Sequence, residues 1–527
     1  MNEAEGLYER VLEAAGGSPP TPRPPRSSAA VVLWRGEGDE LEVYWLRRGR
    51  SLPFMGGWYA FPGGAVDRAD VALPLAGVPA HPDPAARTSG LPDQEELPEA
   101  LDLSAGVAAA ALRELFEETG VLLGANLPAA ALAELRDECL TRSGAFGDGL
   151  RAQGIAPDAG RLTFAGRWLT PPFTPVRFDN RFFLARWRPS DGEPSVLPPE
   201  SEEGEWVPPA RALARILSGE AMAAPPIVHL LRVLAEEGPE RGVPRLLDTA
   251  EANLGPMRRI ELRLGILMFP LAAATLPPST HTNCFLLGRD EALLVDPGSP
   301  FPRENERLVA ALAAARERLG RRAIAILLTH HHPDHVAGAR ELSRRLDLPV
   351  WAHAATRERI AGRGIAVDRD LEDGERLALA GSPPTTLRLH HTPGHARGHL
   401  AIEVEGAGDL IGGDLVSGFG TIVIAPPEGN MEDYLTSLER MRGRGFRTLF
   451  PAHGAAILDV DGKLAEYLEH RLAREAQVLE LWRAGTREPG EMLAAVYPEV
   501  PPAILPLAER QILAHLERLR ALGALSR

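Results

Sequence analysis

Between residues 327 and 335 the chain reads Leu-Leu-Thr-His-His-His-Pro-Asp-His, which places His330, His332, Asp334 and His335 within six residues, directly after the apolar run 323–328. In extended backbone, residues two apart point the same way, so His330 and His332 converge on one ion. Pro333 is compatible with the first turn of a helix, which would turn Asp334 and His335 toward a second ion. Imidazole with carboxylate suits Zn²⁺, with Fe or Mn also compatible. A second concentration of chemistry lies at Glu114, Glu117 and Glu118. At i, i+3 and i+4 these share one helix face, where three carboxylates repel one another unless a cation neutralises them. Oxygen ligands favour Mg²⁺ or Mn²⁺ there, although a solvated acidic face accounts for the triplet taken alone.

The elements that must position these groups follow from pattern. The run 323–328 reads as a strand and 336–342 as a helix; 282–288 and 292–298 read as paired strands. Earlier, 29–34 and 41–46 read as strands joined by a turn at 36–39, and a helix from Val107 carries the three glutamates. A short helix is expected at 6–15, a Pro-rich connector at 16–28 and a linker at 240–258. A further helix begins at Asp433, and a tail helix at Tyr467 carries the apolar stripe Leu472, Ala476, Leu479 and Trp482.

His330, His332, Asp334 and His335 form the pattern H-x-H-x-D-H. Further along come His395 in His-Thr-Pro-Gly-His, Asp414 closing Leu-Ile-Gly-Gly-Asp, and His453 in Phe-Pro-Ala-His-Gly. Together these resemble the metallo-β-lactamase superfamily. The resemblance implies an αββα sandwich with His330, His332 and His395 on one metal, Asp334, His335 and His453 on the other, and Asp414 bridging them. It implies two Zn (or Fe or Mn) ions sharing an activated water, with Asp334 a candidate to handle its proton. Asp296 is expected to orient the metal loop by hydrogen bonds, and His399 is a candidate to touch substrate. The segment 420–431 and the helix after it resemble the β-lactamase-like protein 2 branch, which contains endoribonucleases, and the tail resembles the winged-helix extension of that branch.

From Arg113 to Val121 the chain reads R-E-L-F-E-E-T-G-V, similar to the second half of the Nudix box. The first half departs. Gly64 and Arg113 are separated by 48 residues where the family has thirteen, and Ala105 stands eight before Arg113, where the family has glutamate. With 61–67, 167–171 and 177–184 as further matches, this half resembles the coenzyme A diphosphatase (Nudix motif 19) branch. That implies a Nudix α/β/α sandwich with Mg or Mn on Glu114, Glu117 and Glu118, Glu114 and Glu117 serving catalysis. Arg177 and Arg181 are candidates to bind phosphate, and Arg113 to orient the glutamates. A general base is left open among these glutamates, Glu203 and Glu205.

The expected architecture is therefore multidomain α/β: a Nudix domain at 28–240, a metallo-β-lactamase-fold domain at 258–460 and a small helical winged-helix-like domain at 464–527. A length of 527 residues accommodates three such cores. The net charge of −15 excludes a global basic field for nucleic acid or anionic membrane. The tail, with nine acidic and eight basic residues from Leu464 onward, suits packing or dimerisation better than phosphate tracking. Two distant cysteines, Cys139 and Cys284, suit a reducing compartment. The acidic N-terminus and the proline-broken apolar stretch 264–278 point to a cytoplasmic chain that does not enter a membrane. Three functions follow. One is a two-headed hydrolase of small molecules, nucleoside diphosphate-linked or acyl-coenzyme A like. The second is an RNA-processing endoribonuclease beside a Nudix domain. The third retains the Nudix domain only as a ligand-binding module. Oligomeric state is not readable from these letters.

Overall fold

Residues 29–33 and 325–328 are apolar at consecutive positions and almost wholly buried, as strands covered on both faces must be. Each run lies at the heart of one of two compact units, Pro22–Leu264 and Gly265–Arg527. The computed structural model describes residues 24–50, 52, 55–80, 105–124, 127–142, 144–171, 174, 176–248, 252–276, 278–498, 500 and 502–525. The helix expected at 6–15 lies outside these, as does most of the connector after it.

In the first unit a mixed sheet has the order β3-β2-β1-β6-β5, with β4 also on β1 and β7 also on β2. The strands are β1 (Arg26–Arg35), β2 (Glu42–Arg48), β3 (Tyr59–Ala60), β4 (Gly63–Ala65), β5 (Thr163–Leu169), β6 (Phe178–Arg186) and β7 (Ser201–Val207). Helix α1 (Ala105–Thr119) is clamped from two sides. Val107, Ala108, Ala111, Leu112 and Leu115 join the sheet core. Ala109 and Phe116 join a second cluster with Leu135, Phe146 and Leu150 from the helices Ala129–Thr141 and Ala145–Ala152. Only a narrow strip of α1 is left, and the three glutamates occupy it. Residues of Pro225–Arg241 complete the sheet core. The expected linker is partly built into this unit: Val243–Leu247 is helical, and Val243, Leu246 and Leu247 are buried in the same core.

The second unit holds two sheets. The first runs β8 (Ile266–Ala272), β9 (His281–Gly288), β10 (Glu291–Val295), β11 (Arg322–Leu328), β12 (Val350–His353), β13 (Arg369–Leu371), parallel from β10 onward. The second runs β14 (Arg376–Leu379), β15 (Thr385–His391), β16 (Leu400–Val404), β17 (Asp409–Gly413), β18 (Thr448–Pro451). Helix α2 (Pro302–Leu319) connects β10 to β11, the crossover that a parallel pair requires. The helix expected at 336–342 is two pieces, α3 (Pro333–Val336) and α4 (Ala339–Leu346), because the Gly338 N–H turns aside to the Pro297 carbonyl at 2.9 Å. Helix α5 (Met431–Met441) covers the second sheet, with Met431, Tyr434, Leu435 and Leu438 in its core.

The tail is helical: α6 (Val460–Arg483), α7 (Pro489–Val496) and α8 (Leu505–Ala521). Its first helix uses only half of the expected stripe: Leu479 and Trp482 pack against the tail core, and the other two do not. Leu472 is 48% exposed and Ala476 is exposed, whereas Leu464, Tyr467, Leu468, Arg471, Glu475 and Val478 form the buried face. Two charged residues on the inner face defeat a hydropathy reading. Arg471 is fully buried and donates to Gln511 Oε1 at 2.6 Å, and Glu475 pairs with Arg518 and His515.

Candidate functional site

At the end of β11 the sequence leaves a buried parallel strand for a loop, the usual place for chemistry in such sheets. His330 Nε2 lies 3.0 Å from His332 Nδ1, and His332 Nδ1 lies 2.8 Å from His395 Nε2. A tetrahedral Zn²⁺ with Zn–N bonds of about 2.1 Å implies nitrogen separations of roughly 3.4 Å, so these rings converge at close to ligand spacing. Asp334, His335 and His453 form a second set of mutually close ligand atoms, as do His330, His335 and Asp414. Asp414 spans both groups: Oδ2 is 3.3 Å from His395 Nε2, and Oδ1 is 3.6 Å from His335 Nε2 and 3.4 Å from His453 Nε2. All seven expected ligands are thus brought together, six of them buried and His332 partly exposed.

The donor set fits a pair of divalent cations. Both Oδ atoms of Asp334, Oδ1 of Asp414 and Nε2 of His335 are buried without a hydrogen-bond partner, a costly state for polar atoms that nothing coordinates. The opposite ring nitrogens are tied down. His395 Nδ1–H donates to the Val423 carbonyl at 2.7 Å, and His453 Nδ1–H to the His281 carbonyl at 3.0 Å. A carbonyl only accepts, so in the neutral ring the lone pair of each falls on Nε2, aimed inward. Asp296, at φ +50°, accepts from Thr329 N–H at 2.8 Å and from the Thr329 hydroxyl at 2.6 Å, and its Oδ2 lies 2.8 Å from His335 Nδ1. It orients the loop as expected from the sequence. Gly394, at φ +134°, lets the His395 loop press onto α5, where a Cβ would sit 2.3 Å from the Tyr434 Cα. Burial, reinforced by the neighbouring imidazoles, holds His330 and His332 well below the usual histidine range. Burial opposes charge on His335 too, but Asp414, Asp296 and Asp334 outweigh it and hold its pKa well above that range. Asp414 is held well below the carboxylate range: burial works against this, and His453 and His335 overcome it.

His399 is not placed to touch substrate. It is 1% exposed, burial pushes its pKa down to about 3, and both ring nitrogens are engaged. Nε2 accepts from the Asp414 backbone N–H at 2.9 Å and Nδ1 meets the Thr392 hydroxyl at 2.8 Å, so it positions Asp414.

In the first unit Arg113 orients the glutamates as expected. Nη1 donates to Glu114 Oε1 at 2.9 Å and Glu117 Oε2 at 2.8 Å, while Glu118 Oε2 accepts from Gly63 N–H at 2.9 Å. Gly64 passes so close that a Cβ there would lie 2.4 Å from Glu114 Oε1. Arg136 Nε and Nη2 donate to the Glu117 and Glu118 carbonyls at 3.0 and 2.7 Å, capping the end of α1. Arg113 also makes a two-pronged ion pair with buried Asp70, Nε–Oδ1 2.8 Å and Nη2–Oδ2 3.0 Å. The family spacing places its first acid six positions after the glycine, and Asp70 is six after Gly64. The acid sought before Arg113 is therefore an aspartate upstream of the insert, and counting forward from Gly64 finds it.

Burial raises the pKa of Glu114 to about 7 and raises those of Glu117 and Glu118 as well. Among the described residues, Asp70, Glu114, Glu117, Glu118 and Glu200 outnumber the cations that act on them, Arg113, Arg48 and Arg136, an excess of negative charge that a divalent cation would relieve. Among the described residues the three glutamates do not form a set as tight as those of the other unit. Glu203 pairs with Arg47, and Glu205 with Trp45 and Arg215; Glu200 is the acid of this loop that acts electrostatically on all three glutamates. The phosphate-binding expectation for Arg177 and Arg181 finds no support, because both are buried on structural partners. Arg177 Nε donates to the Thr170 carbonyl at 3.1 Å; Arg181 bonds the Ser27 hydroxyl at 3.0 Å and pairs with Asp179 at 3.0 Å. Among the described residues, no helix is long and apolar enough to cross a membrane.

Comparison with known proteins agrees with this geometry. Residues 278–453 match the metallo-beta-lactamase superfamily, residues 9–234 the NUDT19 Nudix domain, and residues 489–527 the beta-lactamase associated winged helix domain. The lactamase-like protein vrtG of Penicillium aethiopicum is 30% identical over 235 residues, 44% of this chain and 70% of that protein. A beta-lactamase-like protein 2 homolog of Caenorhabditis elegans is 30% identical over 205 residues, 38% of this chain and 65% of that protein. An atrochrysone carboxyl ACP thioesterase of Aspergillus chevalieri is 32% identical over 205 residues, 38% of this chain and 60% of that protein. The chain thus spans 60–70% of the length of these relatives. Among solved structures, a Nudix hydrolase from Alicyclobacillus acidocaldarius is 32% identical, with 41% of this chain and 94% of that one covered and a TM-score of 0.34. The chain is a hydrolase that belongs to the metallo-β-lactamase superfamily through its C-terminal half, with a NUDT19-type Nudix domain before that half and a β-lactamase-associated winged helix after it.

Proposed function

We propose that the C-terminal half hydrolyses a thioester or related ester, that the Nudix half hydrolyses the pyrophosphate of a nucleoside diphosphate-linked compound, and that an acyl-coenzyme A unites the two bonds in one substrate. The observation that carries the first part is the set of buried, unbonded donor atoms on Asp334, His335 and Asp414 facing the imidazoles. The thioester preference draws support from the thioesterase among the relatives. His330, His332 and His395 would hold one ion, Asp334, His335 and His453 the other, and Asp414 both. Bound divalent ions supply a Lewis acid and lower the pKa of water to ~7. Around them Asp296 and Thr329 hold the rings of His335 and His330, and His399 holds Asp414. Asp334 takes the proton as water adds to the acyl carbon. The carbon–sulfur bond then breaks, and the departing thiolate takes that proton from Asp334 and leaves as the thiol.

In the Nudix half, Glu114, Glu117 and Glu118 would hold Mg²⁺ or Mn²⁺. One of these glutamates takes the proton as water adds to phosphorus and the bridging P–O bond breaks. The test is purified full-length protein offered acyl-coenzyme A, free coenzyme A, ADP-ribose and single-stranded RNA, with divalent metals varied. Thiol release from the acyl compound and metal-dependent cleavage of the coenzyme A pyrophosphate are expected. Cleavage of RNA without thioester turnover would replace the reading with an endoribonuclease.

A further inference from the structure

The loop 414–424 touches three of the seven ligands. It begins with Asp414 itself. Its Ser417 hydroxyl and Gly418 N–H donate to the His453 carbonyl at 3.2 and 2.7 Å, and its Val423 carbonyl accepts from His395 Nδ1–H at 2.7 Å. Asp414 and Val423 belong to no common helix or strand that would set their separation; β17 ends at Gly413 and α5 begins at Met431. The tail helix α6 supplies what is missing. Tyr467, 2% exposed, accepts from Ser417 N–H at 3.0 Å and donates to the Gly420 carbonyl at 3.0 Å. One turn on, fully buried Arg471 donates through Nη2 to the Ile422 carbonyl, next to the carbonyl that fixes His395. Its guanidinium lies 5.6 Å from the ring centroid of Tyr434, whose hydroxyl donates at 2.8 Å to the Leu415 carbonyl beside Asp414. At i and i+4 the two side chains leave the same face of α6.

We propose that Tyr467 and Arg471 are positioning residues for the metal centre, and that the helical tail, through α6, is a brace for the loop that aligns Asp414, His395 and His453. A buried guanidinium is costly unless its donors are used. Here α8 contributes Gln511 to one arm and the loop contributes a carbonyl to the other, so the tail and the metal loop satisfy a single group. Loss of either tie frees the Val423 carbonyl to drift. A loosened ligand orientation typically weakens metal binding tenfold or more.

The proposal rests on the binuclear reading but is tested apart from catalysis. Full-length wild type, Tyr467→Phe, Arg471→Met and Val478→Ala are loaded with Co²⁺. Their visible spectra are recorded, and metal loss to excess chelator is timed. Val478 is fully buried in the tail core away from the loop and controls for simple destabilisation. Tyr467→Phe should lose metal several-fold faster and Arg471→Met tenfold or more, each with an altered spectrum, while Val478→Ala stays within twofold of wild type. Wild-type rates and spectra in both tie variants would overturn the proposal, as would an equal effect of Val478→Ala. If Arg471→Met does not fold, Tyr467→Phe decides by the same criterion. A wild type that binds no Co²⁺ would instead sink the binuclear reading itself.

Discussion

Asp296→Asn is the sharpest test of how the metal loop is built. Oδ2 of Asp296 accepts the Thr329 hydroxyl at 2.6 Å and lies 2.8 Å from His335 Nδ1, while Oδ1 accepts Thr329 N–H at 2.8 Å. Asparagine tolerates φ +50° and matches the shape, but it replaces one acceptor by a donor. If the amide nitrogen takes the Oδ2 position, it faces His335 Nδ1, which must then give up its proton. The proton moves to Nε2, the atom that faces Asp334 and Asp414, and that lone pair is no longer available. If the amide turns the other way, Thr329 N–H is left buried and unpaired, at about 1–3 kcal/mol. Either route costs about the same as the tenfold to hundredfold loss of affinity expected when a ligand's orienting partner is changed, about 1.4–2.8 kcal/mol. Metal-stripped full-length protein titrated with Zn²⁺ against a chromogenic chelator reads this directly. The equivalent held by Asp334, His335 and His453 should weaken by that factor. Two equivalents bound with affinities within twofold of wild type would refute the tautomer argument.

The remaining expectations concern both halves. His330→Ala and Asp414→Ala should each abolish thioester hydrolysis and leave pyrophosphate cleavage intact, and Glu117→Gln should do the reverse; assay of each variant on both substrates would show joint losses if the sites are not separate. Burial raises Glu114 from an ordinary 4.5 to about 7, so between those values the folded chain binds a proton that the unfolded chain has released. Stability therefore falls as pH rises through that window, by at most about 3 kcal/mol from this group. Melting curves in chelator should show the decline from pH 5 to 7.5, Mg²⁺ should oppose it and Glu114→Gln should flatten it; a flat wild-type profile contradicts the burial argument. Arg181→Ala should lower stability by about 1–3 kcal/mol through the loss of its pair with buried Asp179, with KM for a pyrophosphate substrate changed less than twofold. A tenfold rise in KM at unchanged stability would return Arg181 to the phosphate.

The metal centre was readable in the letters because its chemistry is carried by short motifs on strand ends, where local spacing already sets direction. His330 and His332 follow a strand whose burial is plain from its composition, and Asp296 closes the neighbouring strand. The acid partner of Arg113 was harder, since the insert moves Asp70 a long way from the helix it serves. The spacing from Gly64 survives while the spacing to Arg113 does not. Arg177 and Arg181 failed for a different reason. An arginine beside an acidic site looks like a phosphate ligand until Asp179 is seen between Arg167 and Arg181, and that triad exists only once β5 and β6 pair.

The tail shows where one-dimensional reading stops. Rotating the buried face of α6 onto Arg471 and Glu475 makes no sense for a helix considered alone, because each buried charge needs partners that the helix does not contain. Those partners lie at Ile422, Gln511 and Arg518, and only the folded chain brings them to it. A hydropathy stripe minimises the cost of burying α6 against an unspecified apolar surface. The observed face instead meets a surface with backbone carbonyls to satisfy, those of Gly420 and Ile422 in the metal loop. The choice of Arg471 over leucine at the centre of that face is thus a property of the loop, and the tail's sequence carries information about a loop of the metal site 49 residues before it.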